Sequence, residues 1–318
     1  MNKSPSVLIV VLNWMKYEDT INCVISLQQL EYSNFTIFVV DNASENESFQ
    51  VLKEEFPTEI VVQSNENNGY AAGNKIGSDY ALAHGFDLVW ILNNDCVVRK
   101  ESLGYLVDSY LKYGDGVYSN TTLMSENPDI IHYAGTYAID EPLQPDKFPT
   151  YDKWKGKLLD EVKDELSDHP ARIYGHSMLI PVSIIKKYGF MDTNYFMFCE
   201  ETDYTLSLHQ KGIPSRYVAK AIITHISTST FKLSPKMKYI GTYYGARNRF
   251  HLDRKFPEGY REKVIKQYGS WKGILKFVLL NRVLGKQYLE DEVHYSMLGI
   301  WHALINKRGK VISPEKLL

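Results

Sequence analysis

Residues 89–95 of the 318-residue chain read Val-Trp-Ile-Leu-Asn-Asn-Asp, an apolar run that ends in two amides and a carboxylate. Such a run is typical of a strand buried on both faces of a sheet. Asn93, Asn94 and Asp95 would then lie at its carboxyl end, where open α/β sheets bind ligands. A carboxylate there can hold Mg²⁺ or Mn²⁺, which prefer oxygen ligands. Taken alone, the same residues also fit a turn that caps the next helix.

The sequence before this run alternates between buried strands and amphipathic helices. The predicted strands are Ser6–Asn13, Thr36–Val40, Glu59–Gln63 and Asp87–Leu92, and the predicted helices are Tyr17–Leu30, Phe49–Phe56 and Tyr70–His84. This alternation indicates βαβ units and a largely parallel sheet. Polar residues again follow the strands, at Asn13, Asp41 and Asn68. We therefore expect these side chains to collect at one edge of the sheet, beside Asp95.

The sequence after residue 96 is less regular but contains a second acidic motif. Further elements are predicted at Tyr174–Pro181, Ile184–Tyr188, Glu201–Gln210, Arg216–Ala219 and Ala221–His225. Glu200, Glu201 and Asp203 stand at the start of one of these helices. One or two carboxylates there would complement the helix dipole, whereas three raise one another's pKa, as a general base requires. His225 ends a strand, where a histidine is either structural or part of a metal site.

Composition excludes several classes of protein. Hydrophobic residues make up 44% of the chain and charged residues 23%, which excludes a mostly disordered chain. The three cysteines are scattered, which argues against a disulfide scaffold or a cysteine-based zinc site and favours a reducing compartment. No apolar stretch reaches the roughly 18 residues of a transmembrane helix.

Charge divides the chain near residue 230. Residues 231–318 contain 18 Lys and Arg against 7 Asp and Glu, whereas residues 1–230 contain 18 against 31. We therefore predict a catalytic domain over residues 1–230 and a basic helical region over residues 231–318. Within the latter, an apolar stripe at 271–279 lies beside lysines and arginines, which fits a helix on an anionic membrane, a helix packed on the body, or a dimer contact. No motif for nucleic-acid binding accompanies the basic residues.

Taken in order, the motifs resemble those of family 2 glycosyltransferases, which are inverting enzymes with the GT-A fold. The resemblance covers roughly residues 6–250 and is carried by Val10–Trp14, Val39–Ser44, Asn65–Asn74, Trp90–Asp95, Gly189–Asp192, Tyr195–Phe198, Glu200–Tyr204 and His225. It implies an α/β fold: a Rossmann-like, nucleotide-binding mixed sheet flanked by helices, with a C-terminal helical, basic extension. Leu92–Asp95 and Glu200–Tyr204 are most similar to bacterial rhamnosyltransferase-type enzymes of surface polysaccharide assembly.

The resemblance also implies a nucleotide and metal site. Asn93-Asn94-Asp95 occupies the place of the family's Asp-X-Asp motif. Because the first acid is Asn93 here, only Asp95 is expected to bind Mg²⁺ or Mn²⁺ as a carboxylate, with His225 completing the site. Asp41 is expected to contact the base or ribose. The nucleotide-pocket positions beside it are Asn13, Asn68, Asn93 and Asn94.

The same resemblance assigns the catalytic residues. Glu201 aligns with the catalytic base of the family's Glu-Asp motif, and Glu200 precedes it. Asp203 aligns with a second acid of that helix. Glu201 would remove the proton of an acceptor hydroxyl while the oxygen attacks the anomeric carbon.

The implied activity is metal-dependent, inverting sugar transfer. The donor would be a UDP-, dTDP- or GDP-sugar, with dTDP-rhamnose one candidate, and the acceptor a hydroxyl of a saccharide or lipid-linked molecule. The protein would act in the cytoplasm or at the inner face of the membrane, as a monomer or an oligomer. One alternative, a sugar-nucleotide pyrophosphorylase, would carry a glycine-rich loop after the first strand, but Val11–Lys16 contains no glycine. The other, a non-catalytic nucleotide- or glycan-binding protein, would lack the acidic triplet.

Overall fold

One mixed sheet organises the chain in the computed structural model, which describes residues 4–135, 153–226, 234, 236–256 and 291–317. Its strands are β1 (Val7–Asn13), β2 (Phe35–Asp41), β3 (Ile60–Gln63), β4 (Leu88–Asn93), β5 (Cys96–Val98), β6 (Val117–Met124), β7 (Ile131–Tyr133), β8 (His169–Pro170), β9 (Ser177–Pro181) and β10 (Ser215–His225). Within the described ranges the strand order is β3-β2-β1-β4-β9-β6-β10-β5, with β7 beside β6 and β8 beside β10.

The sheet has a parallel half and a mixed half. Strands β3, β2, β1 and β4 are mutually parallel, as the alternating pattern predicts. Strand β9 runs antiparallel to β4 and β6, β10 runs parallel to β6, and β5 runs antiparallel to β10. The predicted parallel pairing therefore holds for the first four strands and for the pair β6 and β10, whereas the other described pairs are antiparallel.

Helices cover both faces of this sheet. They are α1 (Tyr17–Leu27), α2 (Ser48–Glu55), α3 (Tyr70–His84), α4 (Ser102–Tyr113), α5 (Leu159–Val162), α6 (Val182–Tyr188), α7 (Glu200–His209), α8 (Met237–Lys255) and α9 (Asp291–Leu304). Alternate residues of β1 explain the two layers, because successive side chains of a strand point to opposite faces. Ile9 and its neighbours pack with α1 and α4, whereas Val10 and its neighbours pack with α3 and α6.

A glycine lets α3 lie directly on β1. A Cβ added at Gly77 would lie 2.4 Å from a methyl carbon of Val10, so a larger residue would push the helix away. β1 ends and α3 begins at the same edge of the sheet, which brings the loop before α3 next to the end of β1. The local packing thus positions the candidate site.

The region after residue 96, for which the sequence pattern is less regular, contains four well-defined elements. Strands β5, β6 and β7 and helix α4 all fall between Cys96 and Tyr133. The two short strands predicted at Arg216–Ala219 and Ala221–His225 form one strand, β10, whose register shifts between Val218 and Ile222. That irregularity explains why the apolar pattern breaks there and reads as two strands.

Helices α8 and α9 pack against each other, and the chain after α9 returns to the sheet domain. The predicted domain boundary near residue 230 and the apolar stripe at 271–279 lie outside the described residues. Among the helices that the structure does describe, we find none with the length and apolar character to cross a bilayer.

Candidate active site

Polar residues from three neighbouring strands meet at the carboxyl edge of the parallel half. In the sheet register Asn13 pairs with Asp41, and Leu12 pairs with Asn93. Asn94 follows directly and donates its Nδ2 proton to Thr20 Oγ1 (2.9 Å) and to Lys16 O (3.2 Å). The strand ends therefore do bring these predicted side chains together.

Asp41 is fully buried, and its carboxylate accepts four hydrogen bonds. The donors to Oδ1 are Asn13 Nδ2 (2.7 Å) and Ser44 Oγ (2.6 Å), and those to Oδ2 are Gln63 Nε2 (2.9 Å) and the Ser44 amide (3.0 Å). A carboxylate has about four acceptor positions. Any direct contact between Asp41 and a nucleotide, which stays a prediction, would thus require one of these bonds to be given up.

A cavity of about 300 Å³ opens beside these strand ends. It combines amides, carboxylates and aromatic rings. Its lining residues are Leu12, Trp14, Asn42, Asn67, Gly69, Tyr70, Asn93, Asn94, Gly175, His176, Phe196, Met197, Phe198, Glu200, Glu201 and Pro314. Clefts of this size with a few convergent polar groups are typical ligand sites.

The cavity includes some predicted site residues and not others. Asn93, Asn94, Glu200 and Glu201 line it. Asn68 instead lies exposed and donates to Glu66 Oε1 (2.9 Å). The role predicted for Asn68 therefore stays a prediction without a contact to this cavity.

The neighbouring residue Asn67 lines the cavity instead of Asn68. Its Oδ1 accepts from the Gly69 amide and from Asn42 Nδ2, both at 3.0 Å. The motif Asn65–Asn74 contains Asn67, but the sequence analysis selected Asn68 as the pocket residue. The signal that distinguishes them is the glycine two residues after Asn67, because an Asx turn uses that spacing.

Asp95 and His225 form the candidate metal site. His225 Nε2 lies 3.0 Å from Asp95 Oδ1, and both side chains are largely buried. The register of β10 and β5 creates this pair, because His225 stands opposite Cys96, the residue after Asp95. With Cys96 Sγ, the possible ligand atoms lie within 4.8 Å of one another. One carboxylate and one imidazole suit Mg²⁺ or Mn²⁺, with room left for other oxygen ligands.

Cys96 fits such a site poorly. The pKa of its thiol lies well above the ordinary value because the thiol is buried and Asp95 is close. A protonated, soft thiol is a weak ligand for hard divalent cations. Cys96 is part of the hydrophobic core, and the metal contact predicted for Asp95 and His225 stays a prediction.

Two further histidines, which sequence reasoning did not single out, stack on His225. The ring of His176 lies 4.6 Å from that of His225, and the ring of His132 lies 6.4 Å away on a nearly parallel plane. His176 Nε2 is also 2.7 Å from Thr122 Oγ1, and burial holds the pKa of His176 well below its ordinary value. The neutral, anchored His176 ring therefore restricts the orientation of His225.

The opposite wall of the cavity is a strained loop, residues 195–199, which we call the 195–199 loop. Phe196, Phe198 and Cys199 have positive φ angles of 66°, 66° and 72° although none is a glycine. Each such residue costs on the order of 1–3 kcal/mol, which the surrounding contacts must offset. Gly69 makes one of these contacts possible, because a Cβ there would lie only 1.9 Å from Phe196 O.

Helix α7 begins directly after this loop, so Glu200 and Glu201 reach the cavity. Glu200 is only 4% exposed, and burial together with the charge of Glu201 raises the pKa of Glu200 to about 8. Glu200 is thus largely protonated at neutral pH. Glu201 is more exposed, and its Oε1 accepts a hydrogen bond from Thr202 Oγ1 (3.0 Å).

Asp203 does not line the cavity. It is 3% exposed and its Oδ2 accepts from Lys255 Nζ of α8 (2.7 Å). Burial raises the pKa of Asp203, while this lysine lowers it. The geometry makes Asp203 a link between α7 and α8, and the catalytic role predicted for it stays a prediction.

A sheet whose parallel strands end in buried amides and carboxylates, beside a mixed half that carries two glutamates, is the architecture of GT-A glycosyltransferases. The profile described as "Glycosyl transferase family 2" matches residues 6–188, which is more than half of the chain. The chain therefore belongs to glycosyl transferase family 2, and it is a glycosyltransferase.

Individual relatives are distant but extend over the chain. It is 22% identical over 315 residues to the "Low-salt glycan biosynthesis hexosyltransferase Agl10" of Haloferax volcanii, which covers 97% of this chain and 93% of that protein. The fold is similar to that of the mannosyltransferase PcManGT of Pyrobaculum calidifontis, solved with GDP-Man and Mn²⁺ (TM-score 0.55, 11% identity, 96% of this chain and 88% of that one).

The fold is also similar to that of GalNAc-T7, solved with UDP, GalNAc and Mn²⁺. That match has a TM-score of 0.55 and 14% identity and covers 71% of this chain. This chain spans 44% of the length of the GalNAc-T7 chain. At such identities the two solved structures show the fold alone.

Proposed function

We propose that the protein is a metal-dependent, inverting transferase that moves a sugar from a nucleoside diphosphate to an acceptor hydroxyl. One observation carries this proposal: Glu200 and Glu201 line the same cavity as Asn93 and Asn94, directly before Asp95. A candidate base and a candidate diphosphate site thus open into one cleft. The nucleotides and Mn²⁺ bound by the two solved neighbours support this choice of donor and metal.

In the proposed mechanism Glu201 acts as the base. Its carboxylate takes the acceptor proton while the acceptor oxygen forms a bond to the anomeric carbon. The bond between that carbon and the diphosphate oxygen breaks on the opposite face, so the configuration inverts. Glu200, protonated at neutral pH, adds no second negative charge beside Glu201. A divalent cation held by Asp95 and His225 would neutralise charge on the leaving diphosphate.

The sequence resemblance also suggests chemical classes for the donor and the acceptor. We propose a dTDP-, UDP- or GDP-sugar as donor, with dTDP-rhamnose one candidate, and a saccharide or lipid-linked acceptor in the assembly of surface polysaccharide. The glycan biosynthesis named for the haloarchaeal relative supports this class of acceptor.

The basic C-terminal region is proposed to meet the inner face of the cytoplasmic membrane. Its excess of lysine and arginine would attract anionic lipids, an attraction that weakens as salt is raised. Flotation of the full chain with anionic vesicles at low and high salt tests this. Absence of binding at low salt would assign the basic residues to packing or self-association.

Screening of donor hydrolysis and transfer tests the main proposal. UDP-, GDP- and dTDP-sugars should each be offered with Mn²⁺, with Mg²⁺ and with a chelator. We expect turnover of one donor class that the chelator abolishes. Binding of a nucleotide sugar without hydrolysis or transfer under any condition would instead indicate the non-catalytic binding protein considered above.

A further inference from the structure

The backbone carbonyls of the 195–199 loop are held by residues distant in sequence. Tyr195 O accepts from Arg247 Nη2 (2.8 Å) and Asn248 Nδ2 (2.9 Å). Asn248 Nδ2 also lies 2.6 Å from Met197 O and 3.0 Å from Phe198 O. Phe196 O accepts from the Tyr70 amide at 2.9 Å. Four consecutive carbonyls, from Tyr195 to Phe198, are therefore held, and three of them share the two protons of the Asn248 amide.

The orientation of the Asn248 amide is determined by Arg247. Arg247 Nε donates to Asn248 Oδ1 (2.9 Å), so the amide nitrogen must face the loop. The flipped amide would place its oxygen against three carbonyl oxygens and its NH₂ group against the guanidinium. Both side chains are fully buried, which leaves water no access to replace these bonds.

Arg247 also connects the loop to the C-terminal segment. Its Nη1 donates to Gly309 O (2.7 Å), and the Gly309 amide donates to Asn194 O (2.7 Å). Among the described residues, no carboxylate forms an ion pair with Arg247. The guanidinium also lies 4.7 Å from the centre of the Tyr244 ring. Burying a charged group without a carboxylate is costly, so this arrangement requires that the carbonyls be held in one place.

We propose that Asn248, oriented by Arg247, is a positioning residue that holds the 195–199 loop and thereby fixes Glu200 and Glu201 toward the acceptor. The inference rests on the proposed function, because it needs a glutamate of α7 to act on the substrate. It explains why three strained, non-glycine residues can precede the catalytic helix. Displacement of a reacting group by about 1 Å can lower a rate about 100-fold.

The experiment compares two substitutions in α8 of the full chain. Asn248→Asp keeps the shape but removes both amide protons. Asn248→Ser removes them without adding charge, in case the aspartate variant does not fold. The control is His251→Ala, because His251 is similarly buried and its Nε2 lies 3.3 Å from Lys307 O of the C-terminal segment rather than from the loop.

Two measurements are made on each variant. Hydrogen exchange of the peptide over residues 195–204 reports how firmly the loop is held, independently of activity. Steady-state kinetics with the donor found by screening separates kcat from the donor KM. We expect both Asn248 variants to lose protection in this peptide and to lose about 100-fold in kcat, with a donor KM within about threefold of the wild type. His251→Ala should change neither.

Three results would overturn the inference. Faster exchange with unchanged kcat would mean that holding the loop does not matter for catalysis. Equal losses of kcat in His251→Ala and the Asn248 variants would mean that general packing of α8 is responsible. Unchanged exchange would mean that Asn248 does not hold the loop. If the wild type transfers no sugar from any donor, the proposed function fails and the catalytic part of the inference fails with it, while the exchange comparison still decides the structural part.

Discussion

Two buried carboxylates, Asp41 and Glu200, differ in how far their oxygens are hydrogen-bonded. Asp41, at the end of β2, accepts four hydrogen bonds and has no exposed surface. Glu200, after the 195–199 loop, is 4% exposed, and its Oε2 has no hydrogen-bond donor among the residues that the structure describes. Burial therefore raises the pKa of Glu200 to about 8.

The difference separates a carboxylate whose acceptor positions are all occupied from one whose buried oxygen accepts no hydrogen bond. A carboxylate with all acceptor positions occupied holds strand ends and loops together. A buried carboxylate with an oxygen that accepts no hydrogen bond destabilises the fold when it is charged, and such groups concentrate at functional sites. The hydrogen bonds around Asp41 thus form a satisfied network at the strand ends, whereas the 195–199 loop contains strained residues and Glu200 buries a carboxyl oxygen that accepts no hydrogen bond.

The largest effect is expected at Glu201. Glu201→Gln removes the proposed base while nearly keeping its shape, so kcat should fall about 10²–10⁴-fold with donor binding retained. Glu200→Gln should be milder, because Glu200 is already largely protonated at neutral pH. Asp203→Asn should be intermediate. Kinetics of the three variants with a fixed donor tests the assignment, and near-normal turnover in Glu201→Gln would transfer the role to another acid.

A loss of comparable size is expected at Asp95. Asp95→Asn removes the negative charge of the candidate metal pair, and loss of several kcal/mol of charge stabilisation corresponds to about 10³-fold in rate. Titration with Mn²⁺ followed by calorimetry should show weaker binding. Cys96→Ala is the matched control, since its buried thiol stays protonated and should not contribute. Full activity of Asp95→Asn in the presence of a chelator would rule out the metal role.

The parallel half of the sheet and the residues at its strand ends can be predicted from local sequence patterns. The strands β1 to β4 and helix α3 follow from unbroken apolar runs and helical spacing, and Tyr70–His84 has the predicted bounds. The clustering of Asn13, Asp41, Asn93 and Asn94 follows from parallel strands ending at one edge. These features depend on residues near one another in sequence or on a regular sheet.

The other wall of the cavity depends on contacts across the chain and could not be predicted in the same way. The link between Asn248 and Tyr195 joins residues 53 positions apart, and no periodicity marks it. Positive φ angles at Phe196, Phe198 and Cys199 contradict local preference and persist only because tertiary contacts impose them. His132 and His176 join the site for the same reason, because strand order rather than spacing brings them beside His225.

The contrast between the two acids predicts a change in stability at Asp41. Asp41→Asn turns an acceptor into a group that must present an NH₂ to existing donors, so the free energy of unfolding should fall by about 1.5–3 kcal/mol. Urea unfolding measures this loss, and nucleotide affinity should remain close to normal while the variant is folded. Asp79→Asn, at an exposed pair with Lys75, is the control and should change little. A stable Asp41→Asn protein with much weaker nucleotide affinity would instead favour the direct contact predicted from the sequence.

The last expected effect concerns how the stability of the protein changes with pH at Glu200. Its pKa is about 8 in the folded protein and near the ordinary value of 4.5 in the unfolded chain. Between these values the folded state holds a proton that the unfolded state has released, so the contribution of Glu200 to the free energy of unfolding decreases as pH rises from about 5 to 8.

Glu200→Gln removes this titration, and its melting temperature relative to the wild type should therefore rise across that range, by roughly 2–4 °C for each kcal/mol relieved. Thermal unfolding at several pH values, with the exposed Glu126→Gln as control, measures the difference. If the difference in melting temperature between Glu200→Gln and the wild type is constant with pH, burial does not raise the pKa of Glu200 in the folded protein.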